Sequence, residues 1–80
     1  MSKQDKLLQK IRRNPRDVSF KELDQLLQSF GYELVRTKGS HSVYRRPGAP
    51  PITVARRQPH VHSDAVKEVL RAIDDLLAED

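Results

Sequence analysis

The sequence predicts an α+β fold in two layers, in which helices cover one face of a three-stranded antiparallel sheet, with an additional short helix at the N-terminus. Three observations favour this fold. Apolar residues recur at helical spacing near both ends of the chain, short runs rich in β-branched and aromatic residues lie between them, and the connections between these runs are too short for parallel strands. The chain has 80 residues, of which 36% are hydrophobic, so we expect a single modest core.

Two helices are predicted in the N-terminal part of the chain. Residues 3–13 follow a serine that can act as N-cap, and their leucines and isoleucine share one face. Ser19 and Glu22 have the spacing of a capping box and predict a second helix over residues 20–30. Gly31 stands where a left-handed residue commonly ends a helix.

Strands and one more helix are predicted after this point. The strand-like runs cover about residues 32–37, 41–46 and 52–56, and Ser63 is the expected N-cap of the last helix. Residues 19–77 therefore have the α-β-β-β-α element order of double-stranded-RNA-binding domains. The stripe that faces the core on the last helix consists of Val66, Val69, Leu70, Ile73, Leu76 and Leu77.

Positive charge is concentrated in the strand region. The formal net charge is +4, yet residues 36–57 contain six basic side chains and no acidic one. Such a segment attracts a polyanion such as nucleic acid. The residues alone also allow a solvated basic strand face with no partner. The six side chains are Arg36, Lys38, Arg45, Arg46, Arg56 and Arg57.

His41 is the candidate catalytic residue. Metal-free RNA cleavage needs a base for the ribose 2′-OH, cations near the phosphate and an acid for the leaving oxygen, and histidine can act as the base. His41 follows Gly39 and Ser40 and shares its strand face with Arg45, so one face can present imidazole and guanidinium together. The alternative is a surface histidine without function. Tyr44 has the opposite parity, which favours core packing over stacking on a base.

Two further histidines lie in the loop before the last helix. His60 and His62 are two residues apart and, with His41, offer a set of metal ligands. The absence of cysteine and the nearby Arg56 and Arg57 disfavour a metal, and we expect neither a metal nor another cofactor. For His60, a role as phosphate ligand or second acid and a solvated loop position both stay open.

Three motifs resemble the HicA family of toxins. They are FKEL at residues 20–23, FGYELVR at residues 30–36 and GSHSVY at residues 39–44. The similarity continues more loosely through residues 52–54 and the last helix, so it covers most of residues 18–74. The order of the flanking helices and the Gly-Ser-His turn makes it fairly specific.

The resemblance implies a fold like that of double-stranded-RNA-binding domains and the activity of a translation-independent mRNA endoribonuclease, the toxin of a type II toxin-antitoxin system. The family's catalytic histidine falls on His41, and its Gly-Ser turn falls on Gly39 and Ser40. The implied domain covers residues 16–80, with residues 1–15 as a helical extension. No segment is long and apolar enough to span a membrane, and we expect the cytoplasm as location.

The implied partners are mRNA and a HicB-like antitoxin, with a hetero-oligomer of toxin and antitoxin as one expected form. An acidic antitoxin surface is expected to contact residues 41–46 and 56–62. A noncatalytic RNA- or DNA-binding module and a protein that acts mainly in complex formation remain as alternatives. The expected RNA-binding residues are Arg36, Lys38, Gly39, Ser40, Arg45, Arg46, Arg56, Arg57 and His60.

Overall fold

The computed structural model describes residues 2–57 and 59–78. The three strands form one antiparallel sheet in the order β1-β2-β3, and the predicted α+β fold with its additional N-terminal helix is confirmed. Within the described ranges, no helix is both long and apolar enough to cross a membrane. The elements are α1 (Lys3–Arg13), α2 (Phe20–Ser29), β1 (Glu33–Lys38), β2 (His41–Arg45), β3 (Ile52–Ala55) and α3 (Ser63–Ala78).

The ends of α2 follow from local hydrogen bonds. The Glu22 amide donates to the Ser19 hydroxyl at 3.2 Å and the Ser19 amide donates to the Glu22 carboxylate at 3.1 Å, which completes the predicted capping box. Gly31 has φ +86°, and the Tyr32 amide donates to the Leu27 carbonyl at 3.1 Å. This Schellman-type ending stops the helix at Ser29, one residue earlier than predicted.

The start of α3 differs from the prediction. Ser63 is already the first helical residue. The His62 carbonyl accepts a hydrogen bond from the Val66 amide at 3.2 Å, and the His62 Nδ1 atom accepts one from the Asp64 amide at 3.1 Å. The prediction that Ser63 caps this helix is therefore wrong, because the imidazole of His62 satisfies a free amide of the first turn.

A two-residue turn joins β1 to β2. Gly39 has φ +58°, whereas Ser40 is not among the described residues with positive φ, which fits a type II′ hairpin turn. The Arg56 amide donates to the Ser40 carbonyl at 2.6 Å and so ties the turn to the chain that follows β3. Along β1, the pairing shifts by one residue between Leu34 and Arg36, which leaves Val35 in a β-bulge.

The helix α1 packs on the other helices and shares their core. Leu8 and Ile11 are buried against it. The Lys10 ammonium lies 2.5 Å from the Glu22 carboxylate, and Arg12 forms an ion pair with Asp74 of α3. The hydrogen bond from the Lys10 ammonium lowers the pKa of Glu22 most, and the hydrogen bond from the Ser19 backbone amide lowers it further. The core consists of Leu8, Ile11, Val18, Leu23, Leu26, Leu27, Tyr32, Tyr44, Ile52, Val54, Val61, Val66, Val69 and Ile73.

Candidate nucleic-acid interface

The face of the sheet that is turned away from the helices carries a shallow pocket at the β1–β2 hairpin. Its volume is about 600 Å³. Lys38 pairs directly with His41, and Arg36 pairs with Val43, so these side chains share the outer face. The pocket thus brings two of the predicted cations beside the predicted catalytic histidine. Its lining residues are Arg36, Lys38, Gly39, Ser40, His41 and Val43.

His41 is exposed at the first position of β2, between Lys38 on one side and Ala55 on the other. Among the described residues, no group forms a hydrogen bond with its imidazole, so both ring nitrogens are free for a ligand. Arg45 is also exposed and lies further along the same face, opposite Glu33. The arrangement offers a proton acceptor flanked by cations on a surface open to a polymeric ligand.

Arg46 does not join this pocket. Its guanidinium donates to the Phe30 carbonyl at 2.6 Å and lies 3.6 Å from the position that a Cβ of Gly31 would take. The side chain is half-buried. Arg46 therefore serves as a cation at the carboxyl end of α2, where carbonyl groups lack partners within the helix.

Arg56 and Arg57 follow the end of β3 and are exposed. The Arg56 guanidinium lies over the Phe20 ring, 4.5 Å from its centre, in a cation–π contact with the start of α2. Arg56 is thus directed to the helix layer, whereas the pocket of His41 lies on the outer face.

The loop that carries His60 is attached to the connection between α1 and α2. The His60 Nε2 atom lies 2.7 Å from a carboxylate oxygen of Asp17, and the Val61 amide donates to the Val18 carbonyl at 2.9 Å. The structure therefore places His60 at the helices, apart from the residues that line the pocket of His41. Among the residues that the structure describes, no group of three or more candidate ligands could hold a metal ion.

Tyr44 is fully buried on the helix-covered face, as its parity predicts. Its hydroxyl donates to a carboxylate oxygen of Asp24 at 2.5 Å. Burial raises the pKa of Tyr44 well above its ordinary value, and the hydrogen bond to Asp24 acts in the same direction. The contact of Asp24 was not predicted from the sequence, although Asp24 lies directly beside the apolar stripe of α2.

The sequence profile described as HicA toxin of bacterial toxin-antitoxin matches residues 20–74. The chain belongs to this family. The family is one of toxins that pair with an antitoxin, and the matched region runs from α2 into α3, whereas α1 lies outside it. No curated protein and no solved structure matches the chain.

Proposed function

We propose that this HicA-family toxin is a metal-independent endoribonuclease that cleaves mRNA, and that His41 is its general base. The observation that carries the proposal is the exposed, unpaired imidazole of His41 in a pocket lined by Arg36 and Lys38. The resemblance of the Gly-Ser-His turn to the family's catalytic turn supports the same residue. With mRNA as substrate, the proposed place of action is the cytoplasm.

In the proposed reaction, the imidazole takes the proton of a ribose 2′-OH while the 2′ oxygen attacks the adjacent phosphorus. The O2′–P bond forms, the bond from phosphorus to the 5′ oxygen breaks, and the leaving oxygen takes a proton. The imidazolium of His41 or water is the donor of that proton. Arg36 and Lys38 lie where they can stabilise the negative charge that develops on the phosphate.

Recognition of RNA is proposed to depend mainly on phosphate contacts. Both tyrosines are buried, Phe20 lies beneath Arg56, and Phe30 is half-buried against the core. The outer face of the described sheet therefore offers no phenylalanine or tyrosine ring for base stacking. We expect strong dependence of binding on salt and weak preference for base identity.

The decisive experiment compares three forms of the purified chain on a long RNA in the presence of a chelator. His41→Gln should lower the cleavage rate by roughly 10²–10⁴-fold, the usual contribution of a general base. His60→Gln is the matched control, because His60 is also exposed but contacts Asp17, and it should cleave like the parent chain. DNA of the same sequence lacks the 2′-OH and should stay intact. Full cleavage by His41→Gln would contradict the mechanism.

The second candidate is a noncatalytic RNA-binding module. It is favoured by one observation: no described residue orients the imidazole of His41 by a hydrogen bond, and no second acid lines the pocket. In that case the chain would bind RNA with the same salt dependence and leave it uncut.

The proposed inhibitor is a HicB-type antitoxin with an acidic surface, since negative charge there would compete with RNA for the same cations. We propose contacts with residues 41–46 and 56–62. Alanine at an arginine anchor should weaken such a complex by about 2 kcal/mol or more.

A further inference from the structure

The two edges of the sheet differ in their protection. β3 has four residues, begins directly after Pro50 and Pro51, and buries Ile52 and Val54. β1 has six residues without a proline, and all six are exposed. Short edge strands and flanking prolines discourage pairing with another chain. β1 lacks both of these protections and is therefore the edge that an additional strand can approach, although its bulge at Val35 interrupts the regular ladder.

Apolar surface is exposed on the same strand. Leu34 is 40% exposed and Val35 is 50% exposed, and the other large exposed hydrophobic residue of the described chain is Leu77 in α3. Leu34 pairs with Tyr44 on the helix-covered side, whereas Val35 lies in the bulge. Adjacent exposed apolar side chains on an edge strand are compatible with an interaction surface.

The charge around this edge specifies the chemistry of a partner. Arg36 and Lys38 lie on β1 and Arg45 lies on the neighbouring strand, against the single carboxylate of Glu33. Two copies paired through β1 would bring two clusters of net positive charge together. An acidic strand would instead neutralise them and add main-chain hydrogen bonds to the sheet.

We propose that β1 is the docking edge for an acidic, extended strand of a protein partner, and that carboxylates of this strand bind the cations in the pocket of His41. The pocket contains Arg36 and Lys38. Carboxylates on alternate positions of the added strand would therefore occupy the cations that otherwise meet RNA phosphates. Docking itself depends only on the edge, whereas its inhibitory effect rests on the proposed RNA-cleaving function.

The test uses the full chain, isotopically labelled, and a short synthetic peptide in which glutamate and valine alternate. The peptide should shift the backbone amide resonances of residues 33–38 in nuclear magnetic resonance spectra and leave those of residues 52–55 unchanged. The control peptide has the same side chains but N-methylated amides at consecutive positions, so neither of its two edges can form the ladder. It should give no shifts on β1.

Cleavage of RNA is measured in the same titration and should be lost as β1 becomes occupied. The proposal is overturned if both peptides bind equally, if the shifts lie on another element, or if millimolar peptide causes none. Sedimentation without peptide should give a monomer, and a dimer paired through β1 would overturn the choice of partner. Shifts on β1 in a chain that never cleaves RNA would refute only the proposed function.

Discussion

The two faces of β2 differ in exposure, charge and hydrogen bonding. On the outer face, the side chains of His41 and Arg45 are exposed and form no hydrogen bond with another described residue. On the inner face, Ser42 and Tyr44 are completely buried, and the tyrosine hydroxyl is bonded to α2. A single strand of five residues thus supplies the proposed chemistry on one side and part of the core on the other. Substitutions on the two faces should therefore change different measured quantities.

The largest effect on stability is expected for Tyr44→Phe. This change removes the donor to Asp24 and should lower the free energy of unfolding by about 2 kcal/mol, because a bond to a charged group is lost. Tyr32→Phe is the matched control, since the buried Tyr32 hydroxyl forms no hydrogen bond within residues 2–57 and 59–78, and it should change stability much less. Denaturant unfolding measures both. Equal losses for the two variants would show that the hydrogen bond to Asp24 contributes nothing specific.

The free energy of unfolding should also fall at alkaline pH, because Tyr44 and Tyr32 are buried. The pKa values of Tyr44 and Tyr32 are raised in the folded protein, chiefly by burial, so folding favours the neutral phenols. Their contribution is complete below the ordinary tyrosine pKa of about 10 and is lost progressively as the pH rises above it. Tyr44→Phe should make the decline shallower, with Tyr32 accounting for part of the remainder. Thermal unfolding from pH 8 to pH 11 measures the slope.

A pair of arginines tests whether the faces differ in RNA binding. Arg36→Ala should weaken RNA binding and reduce the slope of log affinity against log salt by about one, because one phosphate contact is lost. Arg46→Ala should mainly lower stability, since its guanidinium is bonded to the Phe30 carbonyl. RNA affinity measured at several salt concentrations, together with unfolding curves of both variants, shows which arginine contributes to RNA binding and which to stability. If Arg46→Ala weakened RNA binding and Arg36→Ala did not, the RNA-binding surface would lie on the helix side of the sheet.

The smallest effect is expected for Ser42→Ala, next to the proposed catalytic residue but on the inner face. The buried Ser42 hydroxyl has no hydrogen-bond partner in the part of the chain that the structure describes, so its removal should change the free energy of unfolding by less than about 1 kcal/mol, or raise it. The cleavage rate should stay unchanged. A large loss of activity would show that the inner face contributes to the chemistry.

The fold could be predicted from local signals, because caps, spacing and turn residues decide where these elements begin and end. The capping box of Ser19 and Glu22 and the left-handed Gly31 are examples. The N-cap of α3 was predicted wrongly because serine is a preferred N-cap residue and histidine is not, yet here His62 Nδ1 accepts the hydrogen bond from the Asp64 amide.

The surroundings of the site were less predictable. Strand parity already separates Arg46 from His41, since the two differ by an odd number of positions. Parity does not show that a long side chain such as Arg56 lies over Phe20, or that His60 contacts Asp17, because these contacts join residues far apart in sequence. The pocket of His41 was predictable because its residues are neighbours across one hairpin.

The two-residue turn at Gly39 and Ser40 determines more than the direction of the chain. Since side chains alternate strictly along a strand, one residue added to the turn that shifts the register would exchange the faces of β2. Such a shift would turn His41 toward the helices and Tyr44 toward solvent. The length of the turn thus sets the register of β2. A chain with the same histidine in the shifted register would lose both its packed core and the exposed position of His41.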